Sequence, residues 1–316
     1  MTTTNHTNRT VAVIGTGVIG ASWAAYYLAQ GFTVIASDPA DGAEDRLRQW
    51  VSDFWPALQA IGLADGASQD NLQFASVISE AVRDAEFIQE NGPERLDVKH
   101  AMLADIENGA RPEAILATSS SGLLISDVQQ GMQHPERMVL GHPFNPPHLI
   151  PLVEVLGGKQ TAPEAVDRAL DFYASVGKKP IRINKEVPGH VANRLQVALW
   201  TEMFHLVQSG VTSVEDIDTA ISYGPGLRWA LLGPFLNLHA SGGDGGITHV
   251  LEHIGPAQRE WARTLGTYPE TDDYIPVMAE GVAAEPKNYN WSETLDERDE
   301  MLIDLIVAKN KKSQIP

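Results

Sequence analysis

The residues best placed to do chemistry lie in the stretch 141–155, GHPFNPPHLIPLVEV, with His142 near one end and Glu154 near the other. An imidazole held by a carboxylate is a ready general base, because the partner fixes the tautomer and stabilises the imidazolium that forms. Pro146, Pro147 and Pro151 fix φ and remove backbone donors, so the chain between the two is expected to be stiff and to fold back as a bend followed by a short apolar strand. A His and a Glu at such spacing are more often solvated or satisfied than catalytic. Whether they form a site depends on what the other segments bring to them.

The chain is 316 residues long, enough for a large core and for two domains. Its 43% apolar and 20% charged content is that of a soluble globular protein. There is no run of eighteen apolar residues, so no membrane span is expected. Residues 1–10 are polar and Thr/Asn-rich, which argues against a secretion signal. The absence of cysteine excludes disulfides, thiol nucleophiles and thiolate metal sites; it fits a cytoplasmic protein, and no metal site is expected. A net charge of −18 makes nucleic acid a poor partner. The same charge favours cationic or zwitterionic small molecules through its long-range field, or serves solubility alone.

The elements that would position a site begin near the N-terminus. Residues 10–14 are a β-branched apolar run, GTGVIG follows at 15–20, and 21–30 form a helix-prone stretch: strand, glycine turn, helix. Gly15 permits the tight turn, Gly17 lets backbone approach a pyrophosphate, and Gly20 lets helix and strand pack closely. The N–H groups of the first helical turn, at Val18 and Ile19, attract phosphate charge. A second strand over 32–37 ends at Asp38, placed to accept from ribose hydroxyls and to repel a 2′-phosphate, which favours NAD over NADP. The plain alternative for these glycines is an ordinary βα turn. An amphipathic helix is expected over 40–63, its aromatics serving as packing, with further strands at 72–75, 87–89 and 115–118. Glu94 and Lys99 follow a polar turn near the strand ends; cofactor contact and simple solvation both suit them. Ser119, Ser120 and Ser121 end the 115–118 strand where ligands bind in open α/β sheets, and a helix N-cap is the alternative use for one of them.

These motifs together resemble the 3-hydroxyacyl-CoA dehydrogenase family over almost the whole chain. The glycine turn, SSGL at 120–123, GHPFNP at 141–146, LVEV at 152–155 and PGHVANRL at 188–195 stand in the family's order and close to its spacing. The resemblance implies an α/β fold, with a Rossmann-type doubly wound sheet over residues 1–187, and an all-α domain over 188–316 that forms a homodimer interface. It implies hydride transfer between NAD and a secondary alcohol at the 3-position of an acid or its derivative. It places the catalytic histidine on His142, its carboxylate partner on Glu154, the substrate-side serine on Ser121 and the asparagine near the reacting oxygen on Asn193. Cofactor contacts carry over to Asp38, Glu94, Lys99 and Asn145, and Phe144 lines the substrate side. The family has Thr-Ser-Ser where this chain has Ser-Ser-Gly, so Ser119 and Ser120 stay open beside Ser121.

After a strand over 176–184 and a Pro188-Gly189 hinge, the chain is expected to be helical: 191–207 carries Asn193, and 213–222 opens on a Ser-x-x-Asp cap. The segments YGPGLRWA at 223–230 and 233–246 are read as Gly-rich loops flanking Arg228 and Trp229, an Arg able to clamp a carboxylate with two bonds. On spacing alone, a surface Arg and a packed Trp account for these residues equally well. The GPGLRWA segment resembles the branch of the family that acts on free, small, polar hydroxy acids, L-carnitine and L-gulonate. No lysine precedes Lys99 to meet CoA phosphates, although Arg46 and Arg48 could take that place. The acidic charge and the aromatics Phe144, Trp200, Tyr223, Trp229 and Phe235, able to face a quaternary ammonium, turn the expectation towards L-carnitine. A 3-hydroxyacyl-CoA ester and L-gulonate are the alternative substrates, and an inactive NAD-binding structural protein is the alternative of another class. An apolar helix over 301–308, after the acidic run 296–300, is expected to dock on the dimer.

Overall fold

The computed structural model describes residues 6–285 and 289–315; the extreme N-terminal residues of the 1–10 stretch, and 286–288 and 316 of the polar tail, lie outside it. The chain divides into two compact units, Met1–Val191 and Ala192–Pro316. The first contains β1 (Thr10–Ile14), α1 (Val18–Ala29), β2 (Thr33–Ser37), α2 (Ala43–Ile61), β3 (Leu72–Phe74), α3 (Ile78–Ala81), β4 (Phe87–Glu90), α4 (Leu96–Gly109) and β5 (Ile115–Thr118). It continues with α5 (Ile125–Val128), β6 (Met138–Pro143), β7 (Leu152–Gly157), α6 (Pro163–Ser175) and β8 (Lys179–Arg182).

The strands form one 8-stranded sheet in the order β3-β2-β1-β4-β5-β6-β7-β8. Every pairing is parallel except β6 with β7. Order reverses between β1 and β4, the switch point that opens a ligand crevice at the carboxyl ends of a doubly wound sheet. The strand ends are in step there, with Ile14 opposite both Ser37 and Glu90, and Glu90 opposite Thr118. The parallel strands are apolar on both faces because helices cover both. Trp23, Tyr27, Leu47, Val51, Phe172 and Tyr173 fill one layer, and Leu103, Ile106, Ile125 and Val128 the other. The α2 aromatics pack as expected: Trp55 is buried, and Trp50 and Phe54 lie against the same core.

The expected bend at 141–155 is built differently. His142 lies within β6, near its end, and the turn comes after it. The chain returns in antiparallel register, so that His142 faces Glu154. Lys178 holds the intervening turn. Its buried ammonium donates to the carbonyls of Pro147 and Ile150, and lies 3.7 Å from the centre of the Tyr26 ring. Burial pulls its pKa well below the ordinary lysine value, against which the carbonyls and the ring face favour the cation. His148 adds a second tie, donating from its backbone N–H to Ser22 Oγ at 2.8 Å and stacking on Phe54.

The second unit is helical: α7 (Ala192–Gln208), α8 (Val214–Ser222), α9 (Pro225–Leu232), α10 (Pro234–Ser241), α11 (Gly246–Ala262), α12 (Tyr274–Ala283) and α13 (Trp291–Asn310). Ser213 caps α8 by accepting from the Asp216 N–H at 3.1 Å, as its Ser-x-x-Asp pattern requires. Two expectations are corrected here. Arg228 and Trp229 sit inside α9 rather than in a Gly-rich loop. Their glycines serve helix packing, for a Cβ on Gly224 would stand 2.2 Å from the Ala220 carbonyl oxygen, and one on Gly226 2.6 Å from that of Ile221. The acidic run 296–300 and the apolar 301–308 belong to one helix, α13, which holds no Pro or Gly to stop it.

Replacing Lys178 by Met leaves two buried carbonyls without their donor. The expected loss of unfolding free energy is about 1–3 kcal/mol, measured by urea denaturation.

Candidate active site

The edge of the sheet at the switch point starts with the glycine turn. Gly15 has φ +82° and its N–H donates to Ser37 O at 2.9 Å, holding the turn against β2. A Cβ on Gly20 would stand 1.9 Å from the Gly15 carbonyl oxygen, so α1 meets β1 there only because the residue is glycine. Gly17, the N-cap of α1, has nothing within 4 Å of a Cβ position. That open space faces a first helical turn with no side-chain cap and no acidic residue, so the donors at Val18 and Ile19 are available to an anion. Asp38 closes the cradle, accepting from the Thr16 N–H at 2.7 Å and the Ala40 N–H at 2.9 Å. Open space, free N–H groups and an acidic residue after β2 fit a dinucleotide.

At the end of β4 stands a buried ion pair absent from the sequence-based expectations. Glu90 takes both carboxylate oxygens to Lys99 Nζ, at 3.0 and 2.9 Å. It also accepts from the Gly92 N–H at 2.6 Å and the Thr118 hydroxyl at 2.5 Å. Lys99 gives a further bond to Gly92 O at 3.2 Å and is 1% exposed, so its ammonium is committed inside the protein.

Glu94 clamps the serine loop. Its Oε1 accepts from Ser120 Oγ at 2.6 Å and from the N–H groups of Ser121, Gly122 and Leu123 at 3.0, 2.7 and 3.0 Å. Burial alone would raise this carboxyl, yet the bonds from Ser120, Gly122 and Leu123 hold it below the ordinary glutamate value. The clamp sorts the serines. Ser119 Oγ donates to Asn91 Oδ1 at 2.8 Å and Ser120 Oγ is spent on Glu94, whereas the exposed Ser121 hydroxyl has no partner among the described residues.

His142 Nδ1 lies 2.8 Å from Glu154 Oε2, with both side chains buried. A carboxylate only accepts, so Nδ1 carries the proton and Nε2 is left with a lone pair. Glu154 Oε1 accepts from the Val191 N–H at 2.9 Å. The Phe144 ring stands edge-on to His142 at 5.9 Å, and Asn145, whose bond to Pro146 is cis, is exposed beside it. The first unit thus gathers His142, Glu154 and Phe144, with the glycine turn, Asp38, Glu94 and Ser121 along the same edge. Asn193, in the first turn of α7, and Arg228 and Trp229, on α9, belong to the second unit.

Sequence reasoning also passed over His190. It is 2% exposed, has φ +52° and sets its ring 5.2 Å from that of His142. A bulky residue between Gly189 and Val191 at a left-handed position is the signal that was there to follow only once the backbone was known.

A dinucleotide cradle at one place on a sheet edge and a buried, carboxylate-held imidazole at another is an arrangement that suits an NAD-dependent dehydrogenase. The chain belongs to the 3-hydroxyacyl-CoA dehydrogenase family: residues 10–187 match its NAD binding domain and 189–272 its C-terminal domain. It is 48% identical over 303 residues to an L-carnitine dehydrogenase of Bacillus cereus, covering 95% of this chain and 92% of that one. It is also 48% identical to an L-carnitine dehydrogenase of a Pseudomonas species, covering 95% and 94%. Among solved structures it is similar to 5-formyl-3-hydroxy-2-methylpyridine 4-carboxylic acid 5-dehydrogenase, an NAD+ dependent dismutase. The TM-score is 0.80 at 31% identity, covering 95% of this chain and 97% of that one.

The two helix-side glycines separate binding from folding. Gly17→Ala is expected to keep the melting temperature and to weaken NAD binding in fluorescence titration. Gly20→Ala is expected to cost about 3 kcal/mol of stability in the same buffer, because the clash is with backbone.

Proposed function

We propose that this chain oxidises the 3-hydroxyl of L-carnitine to the ketone with NAD. The observation that carries the reading is the 2.8 Å bond from His142 Nδ1 to Glu154, which leaves Nε2 as the acceptor for the hydroxyl proton. NAD, when bound, supplies the hydride acceptor. A carbinol becomes a ketone only if its hydroxyl proton leaves together with the hydride, so the base must stand within hydrogen-bond reach of that oxygen. His142 takes the proton, and Glu154 stabilises the imidazolium. The Ser121 hydroxyl and the Asn193 amide hold the oxygen as its charge changes. Asp38, Glu94, Lys99 and Asn145 belong to the cofactor side. There the buried pair of Lys99 and Glu90 orders the backbone around Gly92 rather than offering a free ammonium. Arg228 binds the substrate carboxylate, and Trp229 and Phe144 face its apolar and cationic parts.

The choice of L-carnitine over L-gulonate or a CoA ester draws on the relatives, 45% to 49% identical, that carry that activity in their names. Their likeness extends over most of the chain. The net charge of −18 is in keeping with a substrate bearing a fixed cation. The same reading includes a cytoplasmic location, in line with a chain free of cysteine.

The working form is a homodimer joined through the helical unit. Leu195, Tyr223, Phe235 and Met301 of that unit are 66%, 81%, 76% and 74% exposed, and α7, α9, α10, α12 and α13 bury no residue completely. Apolar exposure on that scale supports a face covered by another copy. Light scattering is expected to return twice the chain mass, and a monomer at micromolar concentration would refute this part.

Supplying purified protein with NAD and either L-carnitine, L-gulonate or 3-hydroxybutyryl-CoA, and following NADH absorbance, is expected to show turnover of L-carnitine. Turnover of the CoA ester alone overturns the reading. His142→Ala is expected to lower kcat by about 10³-fold with NAD affinity unchanged.

A further inference from the structure

His190 occupies an unusual position within the first unit. Its backbone is left-handed at φ +52°, a conformation that costs a non-glycine residue energy and persists only where the surroundings impose it. The ring is buried beside His142, centroids 5.2 Å apart and planes at 51°. Its Nε2 lies 3.3 Å from Ser120 O. A carbonyl oxygen can only accept, so Nε2 carries the ring proton of the neutral imidazole. Burial, and then the neighbouring His142, lower the pKa of His190, which favours its neutral ring. Nδ1 is therefore bare, and it is a buried atom with no hydrogen-bond partner among the described residues.

A buried acceptor without a donor is unfavourable, and native proteins rarely keep one without a use. Three hydrogen-bonding groups of the neighbouring residues are already spent. Ser120 Oγ is bonded to Glu94, the Val191 N–H to Glu154 Oε1, and His142 Nδ1 to Glu154 Oε2. His190 thus ties the serine loop to the segment that steadies Glu154, and leaves one lone pair next to the base.

We propose that His190 is a second ligand-binding residue of the site, its Nδ1 accepting a hydrogen bond from a polar hydrogen of a bound molecule while its Nε2–H anchors the ring to Ser120. The bound molecule that offers such a hydrogen is the cofactor, through its nicotinamide carboxamide, since the single hydroxyl proton of L-carnitine goes to His142 Nε2. The proposal thus rests on NAD binding and not on the choice of substrate.

Reciprocal variants separate the two nitrogens. His190→Gln keeps a donor where Nε2 stands and loses the Nδ1 acceptor. His190→Asn keeps an acceptor near Nδ1, tolerates the left-handed backbone and loses the donor. The readout is the affinity, by fluorescence, for NADH and for reduced 3-acetylpyridine adenine dinucleotide, which lacks the carboxamide N–H groups. Wild type is expected to prefer NADH over the analogue by about tenfold, Gln to abolish the preference and Asn to retain it. Gln retaining the preference, or Gln and Asn losing it equally, overturns the proposal. Should Gln not fold, as judged by circular dichroism, His190→Phe takes its place, with the ring kept and the acceptor removed. If wild type does not turn over L-carnitine, the proposed function falls, and the cofactor titration still decides the role of His190.

Discussion

His142 and Glu154 are buried, and a buried carboxylate must be fully satisfied or it destabilises the fold that contains it. Glu154 meets that requirement with the ring of His142 and the N–H of Val191. The first bond needs β6 and β7 in one antiparallel register, and the second needs the chain to come back past the site before it enters the helical unit. A slip of one residue between β6 and β7 would turn His142 to the other face of the sheet. The turn held by Lys178 and His148 resists that slip. The geometry of the His142–Glu154 pair and the stability of the sheet end are therefore one problem with one solution.

The same economy runs along the rest of the sheet edge. Glu90 ends β4 and Glu94 stands four residues on in the loop that follows, yet each secures a different wall. Glu90, paired with Lys99, joins the ends of β4 and β5 through Thr118. Glu94 collects the hydroxyl of Ser120 and three successive N–H groups, so that the loop carrying Ser121 is shaped by one carboxylate oxygen. The charge of Glu90 and Lys99 is buried with several hydrogen bonds to each group, the condition under which burial is tolerated, while Glu94 lies exposed. The outcome is a sheet edge on which the start of α1, Ser121 and Asn145 stand exposed.

The helical unit follows a different logic. Its glycines bring helices close to one another, and its apolar side chains remain largely exposed. Few residues of this unit are buried within it, and α7, α9, α10, α12 and α13 bury none completely. Arg228 and Trp229 are displayed on a helix, which holds a side-chain direction more firmly than a loop does.

Much of this was legible from residue order. The glycine turn with its flanking strand and helix, the acidic residue after β2, and the apolar strands read correctly because their determinants are local: positive φ, close backbone approach, period and length. His142 and Glu154 were recognisable as residue types. Three things were not legible. The bond between them depends on strand register. Lys99 is committed to Glu90 because folding brings a strand end against the first turns of α4, and Lys178 and His190 acquire meaning only from what surrounds them at long sequence distance. The glycines near Arg228 looked like ligand-facing loops, since a glycine needed for close helix packing and one needed for ligand approach are the same letter. Sequence alone determined the local turns, the secondary structure and the inventory of reactive groups. Tertiary structure alone decided which of those groups are spent on one another and which remain free to bind, because that depends on burial and hydrogen-bond pairing between segments far apart in the chain.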